Sequence, residues 1–209
     1  MKRVVALLCA SAVLMSLAGT GAGGAAPKSG HKHGKGKAKL SRVEIIRLAE
    51  PLAEARAATA KYATDLDAAK ADGYRIITQM IPDMGYHFLN PSISGEFDIT
   101  KPPILVYLRD GDDLQLGALE WVFPSKPKRK PIPGAKYGSF GAACHYDDGT
   151  FVFEDSESDC PDDSPESGSP FVFWHPDLVT LHIWLWYPNP DNLFKGTNRW
   201  VRPFNDEQI

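Results

Sequence analysis

The sequence lacks the short motifs that mark several common enzyme classes. It has no Gly-x-Ser-x-Gly elbow for a hydrolase nucleophile and no glycine-rich phosphate-binding loop. No pair of carboxylates stands out as a glycosidase acid and base, although residues 154–166 carry seven Asp and Glu. Serine-hydrolase, nucleotide-dependent and glycosidase chemistry are therefore unsupported.

Acidic residues are absent from the first 39 positions, which carry seven Lys and Arg. Residues 1–18 combine a basic start with a short apolar run, and small residues follow as far as Ala25 and Ala26. This pattern predicts a signal peptide over residues 1–26, since the apolar run is short for a membrane span and has no basic stop-transfer flank. We expect a secreted or extracytoplasmic protein with no stable membrane insertion after signal removal.

The segment 27–40 has no apolar periodicity and is predicted to be a disordered basic tether. His31 and His33 within it could bind a transition metal, but a short histidine tract is compositional evidence only. The 170 residues after position 39 hold 16 Lys and Arg against 26 Asp and Glu, a net charge of −10. Such an acidic body argues against nucleic acid as a partner.

Cysteine is scarce, and removal of the signal peptide would leave only Cys144 and Cys160. In an oxidising compartment these two residues are predicted to form a disulfide. Two free thiols are the alternative. The bond would constrain the unfolded chain by roughly 3 kcal/mol in the chain-entropy model.

Residues 41–72 are predicted to be helical. Ser41 and Glu44 have the spacing of a capping box at a helix start, and Pro51 either kinks this helix or opens a second one. Gly73 supplies a C-terminal stop. Residues recurring at helical spacing form one packing stripe: Leu52, Ala55, Thr59, Tyr62, Leu66 and Ala69.

Beyond Gly73, short apolar runs separated by Gly, Pro, Asn and Asp are typical of an antiparallel sheet. Asp110-Gly111 between two alternating runs predicts a hairpin. We expect one α+β domain over 41–209, with the helical segment packed on a curved antiparallel sheet or small β-barrel formed by 73–209. The predicted strands are 75–81, 85–90, 103–109, 114–123, 150–154, 171–175 and 178–187.

Two of these strands carry polar residues on apolar stripes. In 178–187, alternation places His182 on the same face as Trp184 and Trp186. In 114–123, Glu120 shares a face with four apolar residues, and a buried carboxylate must be paired, protonated or bound to a cation. A second register, with Trp121 facing inward and Glu120 facing water, is the alternative.

Four histidines of the body lie on or beside predicted strands, and with Glu120 they form a candidate metal site: His87, His145, His175 and His182. Imidazoles with one carboxylate suit a divalent transition metal such as zinc, copper, iron or manganese. We expect His87, Glu120 and His182 to converge, with His145 or His175 as a fourth ligand. Because Pro176 follows His175, that side chain could instead lie at the rim as an acid or base. For any single histidine, a hydrogen-bonded core role is the simpler interpretation.

Several motifs resemble a family of exported bacterial proteins without an established activity: Met84-Gly-Tyr-His87, Pro103–Tyr107, Leu119-Glu-Trp-Val122, and Leu181–Pro190 followed by Phe194 and Asn198. The resemblance covers residues 70–204. It implies a shared scaffold in which His87, Glu120 and His182 occupy recurring motif positions, and it implies nothing about a substrate. The segment with Cys144 and Cys160 departs from the commoner, shorter pattern and leaves the role of His145 open.

Two functions follow as hypotheses. The first is an exported protein with a buried His/Glu metal site and a small-molecule or cell-wall ligand. The second is a metal-free cell-envelope module that binds a polysaccharide or another ligand through exposed aromatics, with the candidates Trp174, Trp184, Trp186, Tyr187 and Trp200.

Overall fold

The computed structural model describes residues 40–111 and 113–205. The predicted signal peptide and nearly all of the predicted tether, including His31 and His33, lie outside these ranges. Within the described part of the chain, no helix is both long enough and apolar enough to cross a membrane.

The first helix begins where the capping box predicts. Helix α1 spans Arg42–Thr59; the Ser41 hydroxyl accepts a hydrogen bond from the Glu44 amide at 3.2 Å, and the Glu44 carboxylate accepts one from the Ser41 amide at 2.9 Å. Both bonds satisfy amides that have no partner inside the helix. Pro51 lies within α1, so no second helix opens there.

The packing stripe is divided between two helices instead of following a single one. After α1 come a 3₁₀ turn over Ala60–Tyr62 and a short helix α2 over Leu66–Ala71. Asp65 caps α2 by accepting a hydrogen bond from the Ala68 amide at 2.9 Å. This local cap favours the start of a new helix over continuation of α1.

The β-rich part forms two antiparallel sheets, which confirms the α+β class. The strands are β1 (Arg75–Ile81), β2 (Gly85–Leu89), β3 (Ile104–Asp110), β4 (Asp113–Phe123), β5 (Gly138–Phe140), β6 (Ala143–Tyr146), β7 (Phe151–Phe153), β8 (Phe171–His175) and β9 (Leu178–Ile183). The larger sheet is strongly curled and has the order β1-β2-β3-β4-β9-β5, and the smaller one has the order β7-β6-β8.

One face of the larger sheet packs on the helical segment. The Tyr107 hydroxyl donates to the Tyr62 carbonyl, and the Leu116 amide donates to the Ala63 carbonyl, each at 2.9 Å. These bonds satisfy buried polar groups at the contact between helix and sheet. The opposite face of the sheet carries the candidate ligands.

A bulge in β4 changes which residues of this strand share a face with Glu120. The predicted β3–β4 hairpin is present, but its pairing passes from Val106 opposite Ala118 to Tyr107 opposite Leu116, so that Gly117 is skipped. The skipped residue moves Leu116 to the face opposite Ala118 and Glu120. Both faces are covered, since Glu120 is 5% exposed and Trp121 is 3% exposed. Glu120 therefore points inward without exposing Trp121.

The smaller sheet is joined to the larger one at its β1 edge. The Gln79 amide of β1 donates to the Gly149 carbonyl, which lies in the turn between β6 and β7, at 2.7 Å. The predicted disulfide is present: Cys144 of β6 is bonded to Cys160. Because His145 follows Cys144 directly, the bond holds this part of the chain in place.

Candidate metal centre

His87, Glu120 and His182 come together as expected from their strands. They lie on β2, β4 and β9, and each offers a ligand atom within 4.8 Å of the others. All three are buried. The predicted convergence of two imidazoles and one carboxylate is therefore confirmed, and this cluster could hold a metal ion.

Strand pairing places Glu120 and His182 directly, whereas His87 reaches them through the curl of the sheet. Glu120 is opposite His182 on the neighbouring strand. His87 is opposite Val106 on β3, which separates β2 from β4. Gly85 allows β2 to lie close to β3, because at its φ of 125° a Cβ would lie 2.5 Å from the Tyr107 carbonyl oxygen.

The two imidazoles face the same carboxylate oxygen. Nε2 of His87 and Nε2 of His182 each lie 3.5 Å from Oε2 of Glu120, and the two ring centroids are 5.7 Å apart. Bonds from zinc to imidazole nitrogen or carboxylate oxygen are about 2.0–2.2 Å long. Ligand atoms separated by the observed distances can therefore approach one cation with small side-chain movements.

The surroundings of the two imidazoles differ. Nδ1 of His87 lies 2.8 Å from the Thr78 hydroxyl oxygen. The same oxygen accepts a hydrogen bond from the backbone amide of His87 at 3.2 Å. Both ring nitrogens of His182 are buried and have no hydrogen-bond partner in the described structure. An unpaired buried polar atom is costly, and a bound ion is one way to satisfy it.

Burial and charge set the protonation of this cluster. Burial lowers the pKa of His87 to about 4, which keeps its ring neutral near pH 7. Burial alone would raise the pKa of Glu120, but the neighbouring imidazoles of His182 and His87 and the hydroxyl of Thr180 together hold it below its usual value. A neutral imidazole and an ionised carboxylate are the forms that bind metal.

The centre opens onto a cavity of about 270 Å³. Two of the cluster residues, His87 and Glu120, line it, together with Thr78 and Thr180. Most of the remaining wall is apolar: Ile77, Ile81, Met84, Leu89, Ile104, Val122, Phe140, Phe173 and Leu178. The cavity thus combines an apolar wall with a few polar groups, as small-molecule sites do.

Comparisons with protein-family models, curated proteins and solved structures give no match to this chain.

His145 and His175 do not join the three-residue cluster but form a separate pair on the same cavity. Their Nε2 atoms are 3.0 Å apart. Nδ1 of His145 bonds to the Ile77 carbonyl oxygen at 2.7 Å, and Nδ1 of His175 bonds to the Pro176 carbonyl oxygen at the same distance. His145 is buried and His175 is half-buried, so His175 lies nearer to solvent.

Aromatic rings hold His145 in place. The Phe173 ring stacks on its imidazole, with centroids 4.6 Å apart and an interplanar angle of 10°. Phe151 lies 5.8 Å away, also in a stacked orientation. Burial among these rings lowers the pKa of His145 to about 4.

The candidate aromatic residues do not share one exposed surface. Trp184 is 2% exposed and packs against His182, with ring centroids 5.5 Å apart, so it shields the centre as alternation predicts. Trp186 lies beyond the end of β9 and contacts α1, where its indole N–H donates to the Thr59 hydroxyl at 3.0 Å. Trp200 is 49% exposed.

Sequence reasoning missed the polar residues that support the ligands. Thr78 contacts His87, and Thr180 stabilises the Glu120 carboxylate. A signal was present in each case, because alternation places Thr78 on one face with the apolar Ile76 and Met80, and Thr180 on the face of His182. The carbonyl groups that bind His145 and His175 carry no such signal, since any residue supplies one.

Proposed function

We propose that this chain is an exported metalloprotein in which His87, Glu120 and His182 bind one divalent transition metal. The observation that carries the proposal is a buried carboxylate oxygen with a buried imidazole Nε2 3.5 Å away on each side. A cation would neutralise this carboxylate and would satisfy the Nε2 atom of His182. The Thr78 hydroxyl would accept a hydrogen bond from Nδ1 of His87 and so direct Nε2 at the metal.

Two imidazoles and one carboxylate suit zinc, iron, manganese or copper, and three protein ligands leave coordination positions open. A metal bound there would act as a Lewis acid or redox centre toward a ligand in the cavity. The chain itself would supply the neutral imidazole of His87, an ionised carboxylate and a largely apolar wall.

The cavity supports a small and largely apolar ligand as the partner of this centre. Its wall consists mostly of aliphatic and phenyl side chains, and its polar groups belong to His87 and Glu120, to two threonines and to the pair His145 and His175. Burial of apolar ligand surface against such a wall stabilises the complex by about 25 cal/mol per Å². A polysaccharide fits this wall less well, because its many hydroxyl groups would lose their hydration.

Export is supported by the N-terminal pattern and by the disulfide. A disulfide between Cys144 and Cys160 suits an oxidising, non-cytoplasmic setting. The resemblance of the motifs around His87 and His182 to exported bacterial proteins agrees with that setting. Removal of residues 1–26 during secretion, detected by intact mass, is the test of this part.

Metal binding is tested with the purified full chain carrying His31→Gln and His33→Gln, because these substitutions remove two imidazoles outside the described residues. After chelation and dialysis, titration with Zn²⁺, Mn²⁺ and Fe²⁺ under anaerobic conditions should reveal a tight site. Glu120→Gln should weaken that site by about a hundredfold or more, since even loss of an outer contact costs 10–100-fold.

Glu154→Gln is the matched control, because Glu154 is a partly buried carboxylate that does not belong to the three-residue cluster. It should leave the tight site unchanged. Equal affinity in the parent and in Glu120→Gln would contradict the proposal.

A further inference from the structure

The hydrogen bonds of His145 and His175 fix where their protons lie. A carbonyl oxygen can only accept, so Nδ1 of His145 must carry the hydrogen that it donates to Ile77, and Nδ1 of His175 the one that it donates to Pro176. In a neutral imidazole the other nitrogen then has a lone pair and no hydrogen. The two Nε2 lone pairs consequently face each other at 3.0 Å.

Two lone pairs at this distance repel unless a proton or a metal ion lies between them. We propose that His145 and His175 form a second metal site, which binds a divalent transition ion such as Zn²⁺ or Cu²⁺ through their Nε2 atoms. This site is distinct from the His87 centre and does not require that centre to be occupied.

The separation of the two nitrogens fits a chelated ion. With metal–nitrogen bonds of about 2.0–2.1 Å, nitrogens 3.0 Å apart subtend an angle of about 95° at the metal. That angle suits two adjacent positions of a four- to six-coordinate ion. The pair therefore needs little rearrangement to close on a metal.

The outer contacts are those that metal-binding histidines commonly have. In such sites the second ring nitrogen donates to a carbonyl or carboxylate, which fixes the tautomer and raises the basicity of the ligating nitrogen. Both imidazoles of the pair make this contact. The stacked Phe173 ring also restricts rotation of the His145 ring.

Charge distinguishes this site from the His87 centre. In the described part of the chain, no Asp or Glu joins the pair in a cluster of three ligands. Imidazole ligands without a carboxylate leave the charge of a divalent ion uncompensated. We therefore expect weaker binding than at the His87 centre, and a hydroxide or an anionic group of a bound small molecule as a further metal ligand. Because both clusters line one cavity, that anionic group could belong to the same small molecule that contacts the first metal.

The test is isothermal titration of the full chain with Zn²⁺ and with Cu²⁺, again in the His31→Gln/His33→Gln background. The parent should bind two ions, the second more weakly. His175→Gln should lose only the weaker ion, and its half-buried position favours retention of the fold. His145→Gln should give the same loss.

The reciprocal variant His87→Gln/His182→Gln separates this inference from the proposed function. It should retain one ion at the weaker affinity even if the His87 centre proves to bind no metal. Identical stoichiometry and affinities in the parent and in His175→Gln would overturn the second site. A parent that binds a single ion, lost in Glu120→Gln and kept in His175→Gln, would overturn it as well while leaving the first centre intact.

Discussion

The two histidine clusters of this protein prepare imidazoles for a cation in different ways. At the His87 centre a buried carboxylate supplies negative charge, while both nitrogens of His182 lack hydrogen-bond partners in the described structure. In the His145 pair the described contacts of the Nδ1 atoms are to carbonyl groups, and no carboxylate completes a three-ligand cluster.

The difference separates two requirements of a metal site. Charge compensation raises affinity for a divalent ion, and it comes from Glu120. Orientation of the lone pair comes from the partner of the other ring nitrogen, and backbone carbonyls provide it for the pair. We therefore expect the first centre to bind more tightly and the second to be held in a more defined geometry before metal arrives.

Acidification of the metal-free protein should have the largest effect and should act on both clusters. His87 and His145 each have a folded-state pKa of about 4 against an ordinary value of 6.5. The unfolded chain therefore takes up protons first as the pH falls, and stability is lost between about pH 6.5 and pH 4. The free energy of unfolding should fall by up to about 3 kcal/mol per imidazole.

Urea denaturation in the presence of a chelator, at several values between pH 7 and pH 4, measures this loss. Replacement of His145 by Phe removes one titrating group in a site already surrounded by phenyl rings. A pH dependence as steep in His145→Phe as in the parent would show that His145 contributes nothing to it.

Removal of the disulfide should affect the smaller sheet more than the larger one. Replacing both Cys144 and Cys160 by Ala should lower the free energy of unfolding by about 3 kcal/mol, because the unfolded chain loses a constraint on a loop with a sequence separation of 16. Since Cys144 precedes His145, metal binding by the pair should weaken while Glu120-dependent binding persists. Loss of Glu120-dependent binding in a variant that remains folded would show that the clusters are coupled.

Loss of the Thr78 hydroxyl should give the smallest effect and should act on the His87 centre alone. Thr78→Val removes the contact to Nδ1 of His87 with little change of shape, and metal affinity at that centre should fall about 10–100-fold. Thr59→Val is a matched control, because Thr59 is a buried, hydrogen-bonded threonine in α1. Equal metal affinities in these two variants would exclude an orienting role for Thr78.

Most secondary-structure elements and the residues of the first centre could be predicted from the sequence. Alternation placed His182 inside β9, the Asp110-Gly111 turn paired β3 with β4, and the two cysteines of the body indicated the bond that is present. These features depend on local periodicity and turn geometry, which a single sequence displays.

Some elements could not be found because their local signals are too short or in conflict. Strands β5 and β6 have three and four residues, too few for alternation to be seen. The helical stripe continued past Thr59 in sequence, although the Asp65 cap starts a new helix. Strand β9 ends at Ile183 and not at residue 187, since the amides of Trp186 and Tyr187 instead donate to the carbonyl of the bulged Gly117.

Which candidate ligands lie close together depends on the tertiary structure. Alternation assigns a side chain to a face but gives no distance across strands, so the approach of His87 to Glu120 over the intervening β3 required the curl of the sheet. The division of five candidate ligands into a cluster and a pair depended on a second sheet that is joined to β1 by the bond from Gln79 to Gly149. Curvature and sheet-to-sheet placement arise from packing between distant segments, which local periodicity does not encode.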